Sequence, residues 1–447
     1  MLDRRTALIS GAALLAGCAA GTGPGQTGRA GTSRFVRTEG TRFRIDDETY
    51  RYAGANIWYA AYLGADAPYG NRDRLRRELD AMAGLGLDNL RILGSSELSP
   101  LKNSITPAFR TQGPDYNETL LAGLDYTLAE MGKRDMRAVI YLTNFWEWSG
   151  GMMTYLYWTN GGRYINMNDP AHPWPEFADF NAQFYNSPEA MGLYHDYVRA
   201  VVGRTNTITG VRYADDPTIM AWQLANEPRP AGSEKIGKPN LPAFYVWVAK
   251  TANLIKSLDP NHLVSTGSEG LQGCFNDAAC VAAEHEIPSI DYLTAHIWPL
   301  NWSWVNAADL PGTFEGGAAK VRKYIDDHVA IANRIGKPLV IEEFGFPRDK
   351  GLYDPNVSTV YKDRFYGLIY DAVLADARRG GPLAGSNFWA WGGEGRASSP
   401  DHRFQPGDTS YLGDPPHEPQ GWYSVFAGDE STKAVIRAHA AALKTAR

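Results

Sequence analysis

The stretch Ala-Trp-Gln-Leu-Ala-Asn-Glu-Pro-Arg-Pro, residues 221–230, decides how the rest of the chain is read. It begins as an apolar run of strand type and ends in a polar pair, Asn226-Glu227, which Pro228 cuts off. Proline cannot extend a strand, and it biases the residue before it towards an extended backbone. Glu227 is therefore expected at the carboxyl end of a buried strand, where α/β barrels keep their chemistry. Alone, such a motif would better suit a carboxylate in a surface loop. It recurs: a second apolar run, Lys-Pro-Leu-Val-Ile-Glu-Glu-Phe-Gly at residues 337–345, also ends in carboxylates.

With these two, short apolar runs lie at residues 52–56, 89–93, 137–143, 219–225, 263–267, 292–296, 338–343 and 386–391. Helical spacing predicts helices over 71–85, 116–133, 188–204, 241–258, 318–334, 360–377 and 432–443. Eight strands alternating with helices, almost every strand ending in a polar or aromatic residue, form the pattern of an α/β protein of the (β/α)8 TIM-barrel type. It is one domain over residues 35–447. An open doubly wound sheet would carry a Gly-rich phosphate turn after its first strand, and Gly54 followed by Asn56-Ile57-Trp58 is not one. Residues 35–52 alternate, with Asp46-Asp47-Glu48 at a turn, and read as a β-hairpin capping the bottom of the barrel. Long loops follow strands three and eight, to about residues 185 and 420, and long ordered loops at a barrel mouth usually carry function.

The chain has 447 residues, 44% hydrophobic and 21% charged, as in ordinary globular proteins. A net charge of -6, a pI near 5.9 and no long basic run argue against nucleic acid or an anionic membrane as main partner. The 13 Trp and 24 Tyr offer flat apolar faces with polar edges, which suit stacking on sugars. Arg4-Arg5 followed by an apolar stretch and Leu15-Ala16-Gly17-Cys18 read as an export signal over residues 1–18 with a lipoprotein box. Cys18 would then be lipidated, the lipid anchor being the only membrane contact, in a bacterial envelope or, without lipid, in a secreted protein. Residues 19–34, rich in Gly and Thr, read as a flexible tether. Cys274 and Cys280 bracket a short loop, and in an exported protein the expectation is a disulfide. Nothing pairs them with histidines at ligand spacing, so no metal site is expected.

Carboxylates on strands four and seven would face each other across the barrel mouth. Such a pair is the minimum equipment for glycosidic cleavage: one carboxyl protonates the leaving oxygen, and the other attacks the sugar carbon or activates water. Glu342 and Glu343 are adjacent, so on a regular strand they point to opposite sides. Glu343, directly before the Phe344-Gly345 turn, is the one expected to line the site. Arg91 near the end of strand two could hold that carboxylate ionised. His296 ends strand six, Trp389 or Trp391 could floor a sugar site from strand eight, and Trp58 lies at the mouth after strand one.

Together Asn226-Glu227-Pro228, Glu343-Phe344-Gly345, Arg91, His296 and Trp389 resemble glycoside hydrolase family 5, a (β/α)8 family of retaining enzymes. Arg229, completing Asn-Glu-Pro-Arg, and the segment Leu-Thr-Asn-Phe-Trp-Glu-Trp-Ser-Gly-Gly-Met-Met-Thr-Tyr, which holds Trp146, are similar to its β-mannanase branch. The likeness covers nearly all of residues 35–432. It implies Glu227 as general acid/base, Glu343 as nucleophile, Asn226 on the sugar hydroxyl next to the reacting carbon, Arg91 orienting Glu343, and His296 supporting the acid/base. The mechanism requires Glu227 protonated and Glu343 ionised at working pH, with carboxyl groups roughly 5–5.5 Å apart. One position departs: the family's tyrosine two residues after the histidine is Trp298, whose N–H can donate to a carboxylate but cannot act as a phenol. The implied activity is endo-hydrolysis of β-1,4-mannosidic bonds in mannan, glucomannan or galactomannan, by a monomer with no cofactor. An exo-acting β-mannosidase is the alternative if the long loops wall off one end. A tethered sugar-binding lipoprotein without turnover is the reading from another class, against which both carboxylates speak.

Overall fold

The computed structural model describes residues 35–446. The expected signal, Cys18 and the tether lie outside them. The described chain opens with β1 (Val36–Glu39), β2 (Arg42–Ile45) and β3 (Glu48–Tyr50), an antiparallel sheet with one strand more than the expected hairpin. Its register pairs Val36 with Ile45 and Phe43 with Tyr50. Phe43 is fully buried, edge-on to Tyr292 at 5.4 Å and stacked on Tyr52 at 6.4 Å. With Val139, Met220, Leu263, Val340 and Ala384 from the early parts of the barrel strands, it forms an apolar cluster separate from the main core. Burying a phenyl group in this way stabilises by about 1.5–3 kcal/mol.

The barrel consists of β4 (Tyr52–Asn56), β5 (Asn89–Leu93), β6 (Arg137–Tyr141), β7 (Ile219–Gln223), β8 (Leu263–Ser265), β9 (Leu293–Ile297), β10 (Leu339–Phe344) and β11 (Leu383–Phe388). All are fully buried, which is why they read as continuous apolar runs and not as alternations. Parallel pairing joins them in the order β8-β7-β6-β5-β4-β11-β10-β9. The seam between β8, only three residues long, and β9 is held by other means. Asp291 donates its N–H to Val264 O at 2.7 Å, and its carboxylate accepts from Val264 N at 2.7 Å. Higher up, His296 N donates to Glu269 O at 3.1 Å and Thr294 Oγ1 to Ser268 O at 2.7 Å. Bonds that strands would have supplied thus come from side chains and loop backbone.

The eighth strand starts at Leu383 and stops at Phe388, three residues earlier at both ends than its apolar pattern suggests. Beyond it Trp391–Gly393 leaves the barrel to pair with Val425–Phe426, which closes the long loop on itself. The helix expected from residue 241 begins at Glu234 and contains Pro239 and Pro242. Cys274 and Cys280 are joined by a disulfide, Cα atoms 5.7 Å apart, at the entry to helix Ala278–Glu286. Among the described residues no helix is long and apolar enough to cross a membrane.

Candidate active site

The chain does not stop following the sheet at the end of β7. Leu224 N donates to Ser265 O at 3.0 Å, Asn226 N to Thr143 O at 2.8 Å and Glu227 N to Gly267 O at 2.9 Å. The close approach needs glycine at 267, where a Cβ would meet Ala225 O at 2.0 Å and φ is +77°. Glu227 itself is not extended as the following proline suggests. Its φ is 50°, the left-handed region that L-residues rarely occupy, and such departures cluster at functional sites.

Across the mouth, β10 carries an irregularity: Ile341 pairs with Ala295 and Glu343 with the next residue, His296, leaving Glu342 as an extra residue. This bulge overturns the expectation that Glu342 and Glu343 face opposite ways. Both carboxylates turn inward. Glu342 lies deeper, accepting from Gln223 Nε2 and approaching His296 Nε2 at 3.4 Å, while Glu343 reaches the mouth.

Arg91, fully buried, ties the strands together. Its Nη1 donates to Glu343 Oε1 and, at 3.2 Å, to Asn56 Oδ1; Nε donates to Gln223 Oε1 at 2.7 Å and Nη2 to Asn226 Oδ1 at 2.8 Å. His296 Nδ1 lies between the two carboxyl groups, 2.6 Å from Glu227 Oε1 and 3.3 Å from Glu343 Oε2. Glu227 also accepts from Trp146 Nε1 and, at 3.2 Å, from Trp298 Nε1. Trp298 therefore serves Glu227, and the orientation of Glu343 comes from Arg91 and His296. Ligand atoms of Glu227, His296 and Glu343 all lie within 4.8 Å of one another. That spacing would also suit a cation, which the permanently charged Arg91 guanidinium on Glu343 opposes.

Two carboxyl groups this close titrate as a pair. Burial pushes Glu227 up, but the His296 hydrogen bond and charge, Arg229 and Trp146 outweigh it and hold it at about 2. Burial pushes Glu343 up to about 8, opposed by His296 and Arg91 and aided by Glu227 and Glu342. Burial would lower His296, but Glu343, Glu227 and Glu342 around it raise it to about 10. These surroundings favour an imidazolium against an ionised Glu227, with the pair's proton towards Glu343. This is the reverse of the distribution expected from the sequence, because a charged histidine was not foreseen between the two.

A cavity of about 520 Å³ opens above these groups. Asn226, Glu227, Arg229, Trp146, Trp298, Glu343 and Trp389 line it; Arg91 and His296 lie buried behind. Trp58 does not reach it. That ring is 1% exposed, packs edge-on against Trp148 and donates Nε1 to Leu412 O at 3.0 Å, so it supports the wall from behind. Trp391 is likewise absent from the lining, and Trp302 lines the cavity while Trp304 packs on it. Sequence reasoning missed Trp148, Met167, Asn168, Trp174, Glu269, Gln272, Asn301, His417 and Glu418, all in the connections after barrel strands, Trp148 and Gln272 on single 3-10 turns. Only their position in the long loops after β6 and β11 and the turns after β8 and β9 could have flagged them. Glu269 pairs with Arg229, whose Nε donates at 2.6 Å, and burial, with Glu227 nearby, outweighs Arg229 and raises it to about 7.

A (β/α)8 barrel with two buried carboxyl groups at its mouth, one gripped by arginine and the other by histidine, in a tryptophan-lined cavity, is the fold and site of a glycoside hydrolase. The chain belongs to the glycoside hydrolase family 5 β-mannosidase-like family, whose model matches residues 33–447. It is 30% identical over 429 residues to mannan endo-1,4-β-mannosidase 1 of Oryza sativa subsp. japonica, covering 93% of this chain and 87% of that one. A second plant relative, mannan endo-1,4-β-mannosidase 1 of Arabidopsis thaliana, is 29% identical, with 92% and 90% covered. The crystal structure of a glycoside hydrolase family 5 mannosidase from Rhizomucor miehei superposes with a TM-score of 0.85 at 35% identity, over 93% of this chain and 99% of that one.

Proposed function

We propose that this protein hydrolyses β-1,4-mannosidic bonds with retention of configuration, as an endo-acting enzyme on mannan, glucomannan or galactomannan. Glu227 is the general acid/base and Glu343 the nucleophile. The observation that carries this is that carboxyl oxygens of Glu227 and Glu343 lie within 4.8 Å of each other, nearer the roughly 5–5.5 Å of a retaining pair than the roughly 6.5–9.5 Å of an inverting one. The mannoside preference is supported by the names of the plant relatives and by a variant of the Rhizomucor miehei mannosidase in complex with mannosyl-fructose.

Reaction requires the proton on Glu227. Sugar entering the cavity displaces water and strengthens the permanent charge of Arg91 at Glu343, favouring the ionised nucleophile. His296 Nδ1 is placed to pass the proton: it gives its own to Glu227 and takes that of Glu343, returning to the imidazolium. Glu343 then attacks the anomeric carbon while Glu227 protonates the departing oxygen, with Asn226 on the adjacent sugar hydroxyl. Glu227, now ionised, takes a proton from water, which releases the sugar from Glu343.

A second reading, exo action, is favoured by the loop after β11. It returns over the mouth and places the His417 ring parallel to Trp148, 6.4 Å between centroids, with Glu418 beside it in the cavity wall. A time course on mannohexaose and ivory-nut mannan tests both. Mannobiose and mannotriose from the start mean endo action, and mannose released stepwise means exo action. Cleavage of cellohexaose alone would remove the mannan assignment. Export as a lipoprotein is part of the proposal, motivated by the Leu-Ala-Gly-Cys box. Palmitate labelling that persists in Cys18→Ser would refute it.

A further inference from the structure

Trp174 is 57% exposed, whereas Trp148 and Trp389 in the same cavity are almost fully buried. It is nonetheless built into place. The helix that follows, Glu176–Asn181, is fastened to the loop after β7 by Asp179, which accepts from Gly232 N at 3.0 Å, Ser233 N at 2.8 Å and Ser233 Oγ at 2.7 Å. Residue 232 has no room for a side chain, since a Cβ would meet Pro175 Cβ and Ala178 Cβ at 2.7 Å. On its inner side, the Trp174 ring lies 6.3 Å from that of Trp146. The Arg229 guanidinium contacts both rings, 5.0 Å from the centroid of Trp146 and 5.6 Å from that of Trp174. Glu269 pins that guanidinium in turn. Trp174 is thus held from its inner side while more than half of it stays open in the lining of the cavity.

We propose that Trp174 is a stacking platform for a mannosyl ring on the leaving-group side, beyond the ring next to the scissile bond. The side follows from the neighbours. Trp146, which separates Trp174 from the acid/base, donates to Glu227, the group that protonates the leaving oxygen. Glu343 approaches His296 and Arg91 from the other side of the mouth. Sugar leaving past Glu227 therefore runs towards Arg229 and Trp174. The flat apolar face of the indole matches the C–H face of a hexopyranose. The ligand is a neutral β-linked oligomer of three or more sugars, and the inference rests on the mannosidase reading above.

The test compares kcat/KM for mannobiose and mannohexaose in the wild type, Trp174→Ala and Trp174→Phe. Trp174→Ala is expected to lose about tenfold on mannohexaose and less than about twofold on mannobiose, with Trp174→Phe recovering most of the loss. Equal losses on both substrates, or none on mannohexaose, overturn the platform. Calorimetric binding of mannohexaose to Glu343→Ala, with and without Trp174→Ala, reads it without turnover. There an unchanged affinity overturns the platform, an about tenfold weakening supports it, and a wild type that cleaves no mannoside overturns only the mannosidase reading.

Discussion

At the scale of single residues, Glu227 and Glu343 differ by what touches them. Arg91 can never give up its charge, so Glu343 always has a cation beside it; Glu227 depends on a titratable histidine and two indole donors. Replacing Glu227 by Ala should cut kcat on mannobiose by about 10²–10⁴, the usual worth of a general acid/base. It should do far less to a dinitrophenyl mannoside, whose leaving group needs no proton. Added azide should then trap a β-mannosyl azide, which NMR identifies; an α-azide would instead assign Glu227 as the nucleophile. Trp146→Phe removes a hydrogen bond to the ionised form of Glu227, one of the causes that hold its pKa down. The sign is definite: with less stabilisation of the anion, the acid keeps its proton to higher pH. Because Glu227 is held at about 2, its titration forms the acid limb of kcat/KM; that limb should therefore move up, and a pH profile with it unmoved or lowered contradicts the assignment.

At the scale of elements, the return of the loop after β11 depends on a buried lysine outside the site. Lys362, in helix Val360–Arg378, donates to Tyr423 O at 3.2 Å and Ser424 O at 2.9 Å, and burial lowers it to about 8. Asp414 closes the same turn, accepting from Gly421 N at 2.8 Å, Tyr423 N at 2.5 Å and Ser424 Oγ at 2.5 Å. His417 and Glu418 are carried between these anchors. Lys362→Met leaves two buried carbonyls without their donor, at a cost of about 1–3 kcal/mol. A lower melting temperature is expected, together with a raised KM for mannobiose and a smaller change in kcat. Melting and kinetics on the same preparation check this, and an unchanged KM would mean the loop holds its place without the lysine.

At the scale of the whole molecule, buried titratable groups away from the site set a pH window for stability. Burial raises Glu284 to about 8 and lowers His285 to about 3 and His328 to about 4. A carboxyl group that keeps its proton when folded destabilises as pH climbs from about 4.5 through 8, since only the unfolded chain ionises freely there. A histidine that stays neutral when folded destabilises as pH falls from about 6.5 through 4 to 3, since only the unfolded chain accepts the proton. Thermal stability should peak near pH 6 and fall on both sides. Glu284→Gln should melt higher than the wild type at pH 9 and about equally at pH 4.5; equal melting at pH 9 would show that Glu284 ionises in the fold without penalty.

The barrel, its eight strand positions to within a few residues, and the two glutamates at its mouth were legible in the sequence alone. These are local properties: a strand buried on both faces must be apolar along its length, and a polar residue ending it before Pro228 or Gly345 has only the mouth to face. The choice of Glu343 rested on alternation that the bulge in β10 breaks, so its place at the cavity was foreseen and the inward turn of Glu342 was not. Trp58 had a mouth position by sequence and a supporting one in space. Trp174, His417 and Glu418 come from loops whose backbone has no period to read. The direction in which Glu227 and Glu343 are pushed was legible only in the tertiary structure, because it depends on His296 from β9, Arg91 from β5 and Arg229 from the loop after β7 converging within hydrogen-bonding or Coulombic reach. Such distances are set by how the strands close into a barrel and are written in no single stretch of the chain.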